Sequence, residues 1–275
     1  VDAASDESES LVVRAAATEA LGRLRNPEHI LLLTGILEDP QDDWPLRRAA
    51  ALALGNLGEE AAQSLIRFLE DTNIEVQQLI TEALAHIGPA VAPYLVSYIS
   101  HSRVDIRQAA LNTWAIIGVK HESIQVSQTV VESMDLALLA CLEDARLPVH
   151  NAALEACIKT RNAKTLCACL GSHTSSLMHK RGAHKALAFL GSLILEYVSP
   201  LLRSSMWYTR YFAVQLLLEL PDASMALPND IDVVRTLVDD PQAQVSAEAK
   251  RFFLTWSPKG IPYRTETGLL VSSHG

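Results

Sequence analysis

The sequence is short of aromatic residues. Phe, Trp and Tyr make up 5% of 275 positions, although 49% of the chain is hydrophobic. Any core must therefore be filled by Ala, Leu, Val and Ile. Ala and Leu are strong helix formers, and small residues let helices approach closely, so this shortage points to an all-helical fold. The same apolar content excludes disorder. Cysteine is scarce too: Cys141, Cys157, Cys167 and Cys169 lack the spacing of a secreted disulfide framework. A chain of this size needs no cross-links to fold, so a reducing, cytoplasmic compartment is expected. No apolar run approaches the roughly 20 residues needed to cross a bilayer, and no membrane partner is expected. No secretory signal is visible, and the chain begins at Val1 rather than Met, which leaves upstream targeting information open.

Motifs that carry chemistry are missing as well. There is no nucleophile elbow, no phosphate-cradling Gly-rich loop, no His-Glu-x-x-His and no Cys-x2-Cys pair. Cys167, Cys169, His173, His179 and His184 are close together, but on a helix positions 167 and 169 point about 200° apart and do not chelate one ion. They read as ordinary core residues. His121-Glu122 is a single pair in an insertion. No catalytic residue, metal or other cofactor is expected. The formal net charge of −9 opposes indiscriminate phosphate binding, so nucleic acid is disfavoured as a partner.

What is present is a repeat. Residues 45–58 read PLRRAAALALGNLG, residues 74–88 IEVQQLITEALAHIG and residues 104–118 VDIRQAALNTWAIIG. Gly58, Gly88 and Gly118 close these segments at intervals of thirty residues, a period that signals stacked supersecondary units. Residues 11–24 match the same pattern, with Arg14 in the place of Arg47, and read as the second helix of a pair whose first helix is absent or lies upstream of the given sequence. Ile30–Glu38, residues 59–69 and residues 90–99 read as first helices. After residue 133 the phase returns, with Arg161, Gly191 and Pro221 in the place of Gly118. The acids in Glu38-Asp39, Glu70-Asp71, Glu143-Asp144 and Asp239-Asp240 recur between paired helices, where an acid caps the second helix or holds the turn. The division expected is a flexible acidic leader at 1–10, a first block at 11–118, an insertion or hinge at 119–133, a second block at 134–257 and an irregular tail at 258–275. Phe252, Phe253 and Trp256 are bulky, as suits a terminal unit closing an exposed core.

The second-helix pattern Val/Ile-Arg-x-x-Ala-x-x-Ala-Leu-Gly-x-Ile/Leu-Gly resembles a HEAT repeat, in particular the short variety named after the phycobilisome lyases. Gln77 departs from it at the Arg position. The resemblance implies a right-handed α-solenoid of about seven to eight helix pairs, with the second helices lining a concave face. It implies no single function, because solenoids are mostly recognition surfaces.

Read through the array, the second helices gather basic residues on one strip in an otherwise acidic chain. In residues 104–118, Ile106, Ala110, Thr113 and Ile117 form the core stripe, and Arg107, Gln108, Leu111 and Asn112 face elsewhere. HEAT-like repeats use an inter-repeat Asp–Arg ladder, and Arg47, Arg107 and Arg210 sit at its position. Arg48, Arg181, Lys185 and Arg251 are surplus to a ladder and read either as a docking surface for an acidic partner or as simple solvation. Tyr208 and Tyr211, with Trp207, flank Arg210; these are the residue types of binding hot spots and equally of packing between repeats. The partner-binding set is therefore Arg48, Arg181, Lys185, Arg210, Tyr208, Tyr211 and Arg251. The function expected is a non-catalytic scaffold or adaptor holding another protein in its groove. The family likeness alone offers an alternative, a bilin lyase or chaperone-like protein acting on phycobiliproteins.

Overall fold

The fold is seen in a computed structural model that describes residues 1–39, 43–71, 73–121, 126–220, 228–256, 263–264 and 270–271. It is an all-α solenoid of HEAT-like helix pairs. The chain divides into two compact units, residues 1–160 and 161–275.

The first unit holds five pairs: α1 (Asp2–Ser5) with α2 (Leu11–Leu24), α3 (Ile30–Glu38) with α4 (Trp44–Leu57), α5 (Glu59–Ile66) with α6 (Ile74–Ile87), α7 (Ala92–Ile99) with α8 (Val104–Lys120), and α9 (Gln128–Leu142) with α10 (Leu147–Lys159). The second helices form one layer, α2 on α4, α4 on α6, α6 on α8 and α8 on α10, and the first helices α3, α5, α7 and α9 stack in turn as the other. The second unit holds three pairs: α11 (Ala163–Gly171) with α12 (Leu177–Leu190), α13 (Leu195–Leu202) with α14 (Trp207–Leu218), and α15 (Pro228–Leu237) with α16 (Ala243–Trp256). Here α12, α14 and α16 stack in order, as do α11, α13 and α15.

Small residues set the spacing. Ala49, Ala50, Ala51 and Ala53 of α4 are all buried. Helix starts carry the expected caps: Ser10, Asn73, Asn162 and Ser176 each accept a hydrogen bond from a backbone N–H in the first turn of the helix that follows. Gly58 and Gly88, at φ of +81° and +87°, reverse the chain between pairs in a conformation open to glycine at no steric cost.

Gly118 behaves differently from the other two. It lies inside α8, which runs on to Lys120. A Cβ there would stand 2.8 Å from the Lys159 backbone, so this glycine serves the close approach of α8 to α10 and not a turn. The chain also differs from expectation at its start. Residues 1–10, read as a flexible leader, include α1, whose Ala4 is buried and which packs on α2 as the missing first helix. Within residues 119–133, α8 extends to Lys120 and α9 begins at Gln128, residues 122–125 lie outside the described residues, and α9 packs on both α7 and α10. Leu111 proves fully buried, not outward-facing.

One helical stretch, Leu177–Leu202, has the length and apolarity of a membrane span, against the sequence expectation. It is two helices, α12 and α13, joined by a 3-10 turn at Gly191–Ile194, and each packs on neighbours in its own layer. Near the C-terminus, β1 (Tyr263–Arg264) pairs antiparallel with β2 (Leu270–Val271), where the sequence suggested only an irregular tail. Phe252 and Phe253 of α16 are buried and meet edge to face at 5.4 Å. The side chain of Trp256, together with Glu122 and Pro221, lies outside the described residues.

Candidate functional site

The first turn of each second helix reaches back to the helix before it. Arg14 Nε donates to Ala4 O (3.4 Å), Arg47 Nε to Leu37 O (3.1 Å), and Gln77 Nε2 to Leu69 O (3.0 Å) and Asp71 O (2.8 Å). Arg107 Nη1 donates to His101 O (2.7 Å), His150 Nδ1 meets Leu142 O at 2.8 Å, and Lys180 Nζ donates to Leu170 O (2.9 Å) and Ser172 O. Arg210 Nη1 donates to Ser204 O (2.8 Å) and Ser246 Oγ to Val238 O (2.6 Å). The last carbonyls of a helix have no partner within it, and these side chains supply one. Arg, Gln, His, Lys and Ser all do the same work, which explains why Gln77 is tolerated where the pattern wants Arg.

Two of the arginines add the ladder. Arg107 Nη2 lies 2.7 Å from Asp144 Oδ2, and Arg210 grips Asp240 with Nε and Nη2 at 2.7 and 2.9 Å. The same aspartates hold their turns by accepting from the backbone N–H of Arg146 and Gln242. Burial pushes both carboxyls up. The turn N–H and the arginine more than offset it, leaving both below the ordinary carboxylate value. Arg210 is therefore committed to structure. Lys180 is fully buried, with its ammonium 5.1 Å from the centre of the Tyr208 ring.

The next residue along each second helix faces the other way. That row reads Arg48, Gln78, Gln108 and Asn151 in the first unit, and Arg181, Tyr211 and Ala247 in the second. One turn further on, Leu52, Glu82, Asn112 and Glu155 are followed by Lys185, Gln215 and Arg251. Arg48, Arg181 and Lys185 are exposed and make no hydrogen bond or ion pair with another described residue; Arg251 is exposed beside Glu248 at 3.4 Å.

In the second unit these rows open into a cleft of about 370 Å³. Arg181 of α12 stands at its edge, and Trp207, Tyr208, Tyr211, Phe212 and Gln215 of α14 form its wall. Trp207 meets Tyr208 edge to face at 5.8 Å, Tyr211 meets Phe212 at 5.5 Å, and Gln215 Nε2 donates to Tyr211 Oη at 2.8 Å. Rings locked by such contacts lose little entropy on binding. Thus Arg181, Tyr208 and Tyr211 come together. Arg48 lies on α4 of the first unit, and Lys185 and Arg251 lie outside the cleft lining. Phe212 and Gln215 were missed in the sequence, although the i, i+3, i+4 spacing of Tyr208, Tyr211 and Phe212 already places them on one helix face.

Beneath the cleft, His184 packs on Phe212 at 5.1 Å. Glu219 lies 3.8 Å away, but burial dominates and pushes the imidazole down to about 4, so it is neutral at physiological pH. All four cysteines are buried, and burial pushes the thiols of Cys141 and Cys167 up to about 11 and about 12, out of reach of nucleophilic chemistry.

Comparison with known proteins bears on the repeats. The family model for HEAT repeats matches residues 1–85. No curated protein matches the sequence. Among solved structures, the chain is similar to one reporting tubulin recruitment by the TOG domain arrays of microtubule polymerases. That match has a TM-score of 0.51 at 12% identity and covers 90% of this chain and 66% of that one. It is also similar to a structure on Kap95p binding and RanGDP, with a TM-score of 0.48 at 14% identity, over 93% of this chain but only 39% of that one. A third is the complex of CpcE and CpcF of phycocyanin lyase from Nostoc sp., with a TM-score of 0.37 at 22% identity, covering 82% and 88%. The first supports the fold, and the other two carry no argument about activity. The chain spans well under half of the Kap95p-related structure and about two thirds of the TOG-array one. The match to HEAT repeats over residues 1–85 agrees with the paired helices in two layers, an all-α solenoid arrangement that continues in each unit.

Proposed function

We propose that this repeat scaffold is a non-catalytic adaptor that docks a segment of another protein on the second helices of residues 161–256. One observation carries the reading: Arg181, Trp207, Tyr208 and Tyr211 converge on a single cleft of about 370 Å³, a size and lining suited to one or two anchoring side chains. The rings take an apolar or aromatic anchor. Arg181 in the cleft lining, with Lys185 exposed one turn further along α12, favours an acidic residue next to that anchor. Arg210 is removed from the docking set, because its guanidinium is fully engaged by Asp240, Ser204 and Ser205. A cytoplasmic, reducing setting suits four buried cysteines that form no disulfide.

The test is affinity capture with the intact chain and with Tyr211→Ala combined with Arg181→Glu. Loss of a hot-spot ring removes about 2 kcal/mol of binding, and the charge reversal adds to it. Specific partners retained by the wild type disappear with the double variant. Capture that is unchanged by the double variant removes the cleft from the function.

A further inference from the structure

The first unit carries a second groove of opposite character. It has a volume of about 520 Å³ and runs across the exposed faces of α6, α8 and α10. Its walls present Gln78 and Glu82, Gln108 and Asn112, and Glu155. None of these five makes a hydrogen bond or ion pair with another described residue. Asp105 also lines the groove and is held by Arg103 at 2.6 Å. Among the described residues, no lysine or arginine lines it. At the floor, the hydroxyls of buried Thr81 and Thr113 meet at 3.3 Å. The Thr113 proton goes to Ala109 O at 2.8 Å. The same Thr113 hydroxyl also donates to Thr81 Oγ1, sharing its proton between the two acceptors.

The geometry points to a binding site for an extended basic peptide segment, lying across the three helices with its main chain against the amides and its cations on Glu82 and Glu155. The chemistry is specific on each count. Gln78, Gln108 and Asn112 each offer a donor and an acceptor, which is what an extended main chain needs and what an apolar ligand does not use. Ile74, Ala109, Ala115 and Ile116 add uncharged lining, and the two acids without a partner, Glu82 and Glu155, set a charge preference for cations. Spacing sets the register. Neighbouring helix axes are about 8–10 Å apart and an extended chain rises about 3.3 Å per residue, so about three residues step from one helix to the next. Glu82 on α6 and Glu155 on α10 are two helix steps apart, so the two cations they take stand about six residues apart, an even number that turns both side chains toward the groove. The groove is independent of the aromatic cleft in the second unit, and either reading stands if the other fails.

Fluorescence polarisation with the full chain tests this. The probe is a fluorescein-labelled peptide with two lysines six positions apart, separated by serine and glycine. Controls carry glutamate in place of lysine, or the same lysines bunched at one end. The spaced-lysine probe binds. The Glu82→Lys, Glu155→Lys double variant weakens it about tenfold or more, in a salt-dependent manner. Gln108→Ala with Asn112→Ala weakens it about three- to tenfold with little change in salt dependence. All these positions are exposed or half-buried, and circular dichroism checks that each variant is folded. Equal affinity for spaced and bunched lysines overturns the inference, since that is net-charge attraction alone. So does unaltered binding by the charge-reversed variant, or preference for the glutamate peptide.

Discussion

Arg210 and Asp240 stand thirty residues apart in the chain and meet as a two-point fork, Nε to Oδ2 at 2.7 Å and Nη2 to Oδ1 at 2.9 Å. The aspartate side chain is 3% exposed and the arginine 14%. Removing one member of a pair this buried leaves the other uncompensated. Asp240→Ala should lower stability by about 3 kcal/mol. Arg210→Lys should recover little, because a single ammonium cannot reproduce the fork. Urea denaturation of both variants measures this, and a loss below about 0.5 kcal/mol for Asp240→Ala assigns the pair to mere surface decoration.

The same pairs set the acid response. Asp144 and Asp240 titrate below their ordinary value of 3.8 in the folded chain. A depressed carboxyl contributes stability that is full at neutral pH and is lost as pH falls through the folded value, below 3.8. Wild type and Asp240→Asn should therefore differ most in urea midpoint at neutral pH, and the gap should narrow as the pH falls below 3.8. A constant gap across that range contradicts the assignment.

Lys180 is the largest fully buried side chain, and its ammonium serves the last carbonyls of α11. Lys180→Met fills the space but strands those acceptors, for an expected loss of about 3 kcal/mol. Lys180→Gln should lose less, because Gln77 performs the same service for the residues following α5. Thermal melting of the two variants decides the order. A methionine variant as stable as the wild type refutes the capping role.

Two helical glycines should respond in opposite directions. Gly35 in α3 has nothing within 4 Å of a Cβ, so Gly35→Ala should stabilise by up to about 1 kcal/mol through helix propensity. At Gly118 the same propensity gain meets the Lys159 backbone at 2.8 Å. Overpacking of that kind costs about 1–3 kcal/mol, so Gly118→Ala should destabilise and Gly118→Val more so. Denaturant midpoints with the same sign for both alanine variants would count against the close approach of α8 to α10.

The amino-acid sequence by itself determined the repeat. Alternating blocks of Ala and Leu at helical spacing, closed by Gly58 and Gly88, leave few ways to hide the apolar stripe except by stacking pairs. The ladder was legible too, because its Arg and Asp recur at fixed phase. What only the tertiary structure decided is which polar residues face inward. Arg47 and Arg48, or Arg210 and Tyr211, are neighbours in sequence but about 100° apart around a helix. One of each pair meets the carbonyl end of the preceding helix and the other meets solvent. Composition cannot separate them, because Arg, Gln, His, Lys and Ser all satisfy those carbonyls. A strip that reads as uniformly basic along the chain therefore resolves into buried structural donors at one position. At the next it becomes two chemically distinct surfaces, amide and acid on α6, α8 and α10, cation and aromatic on α12 and α14.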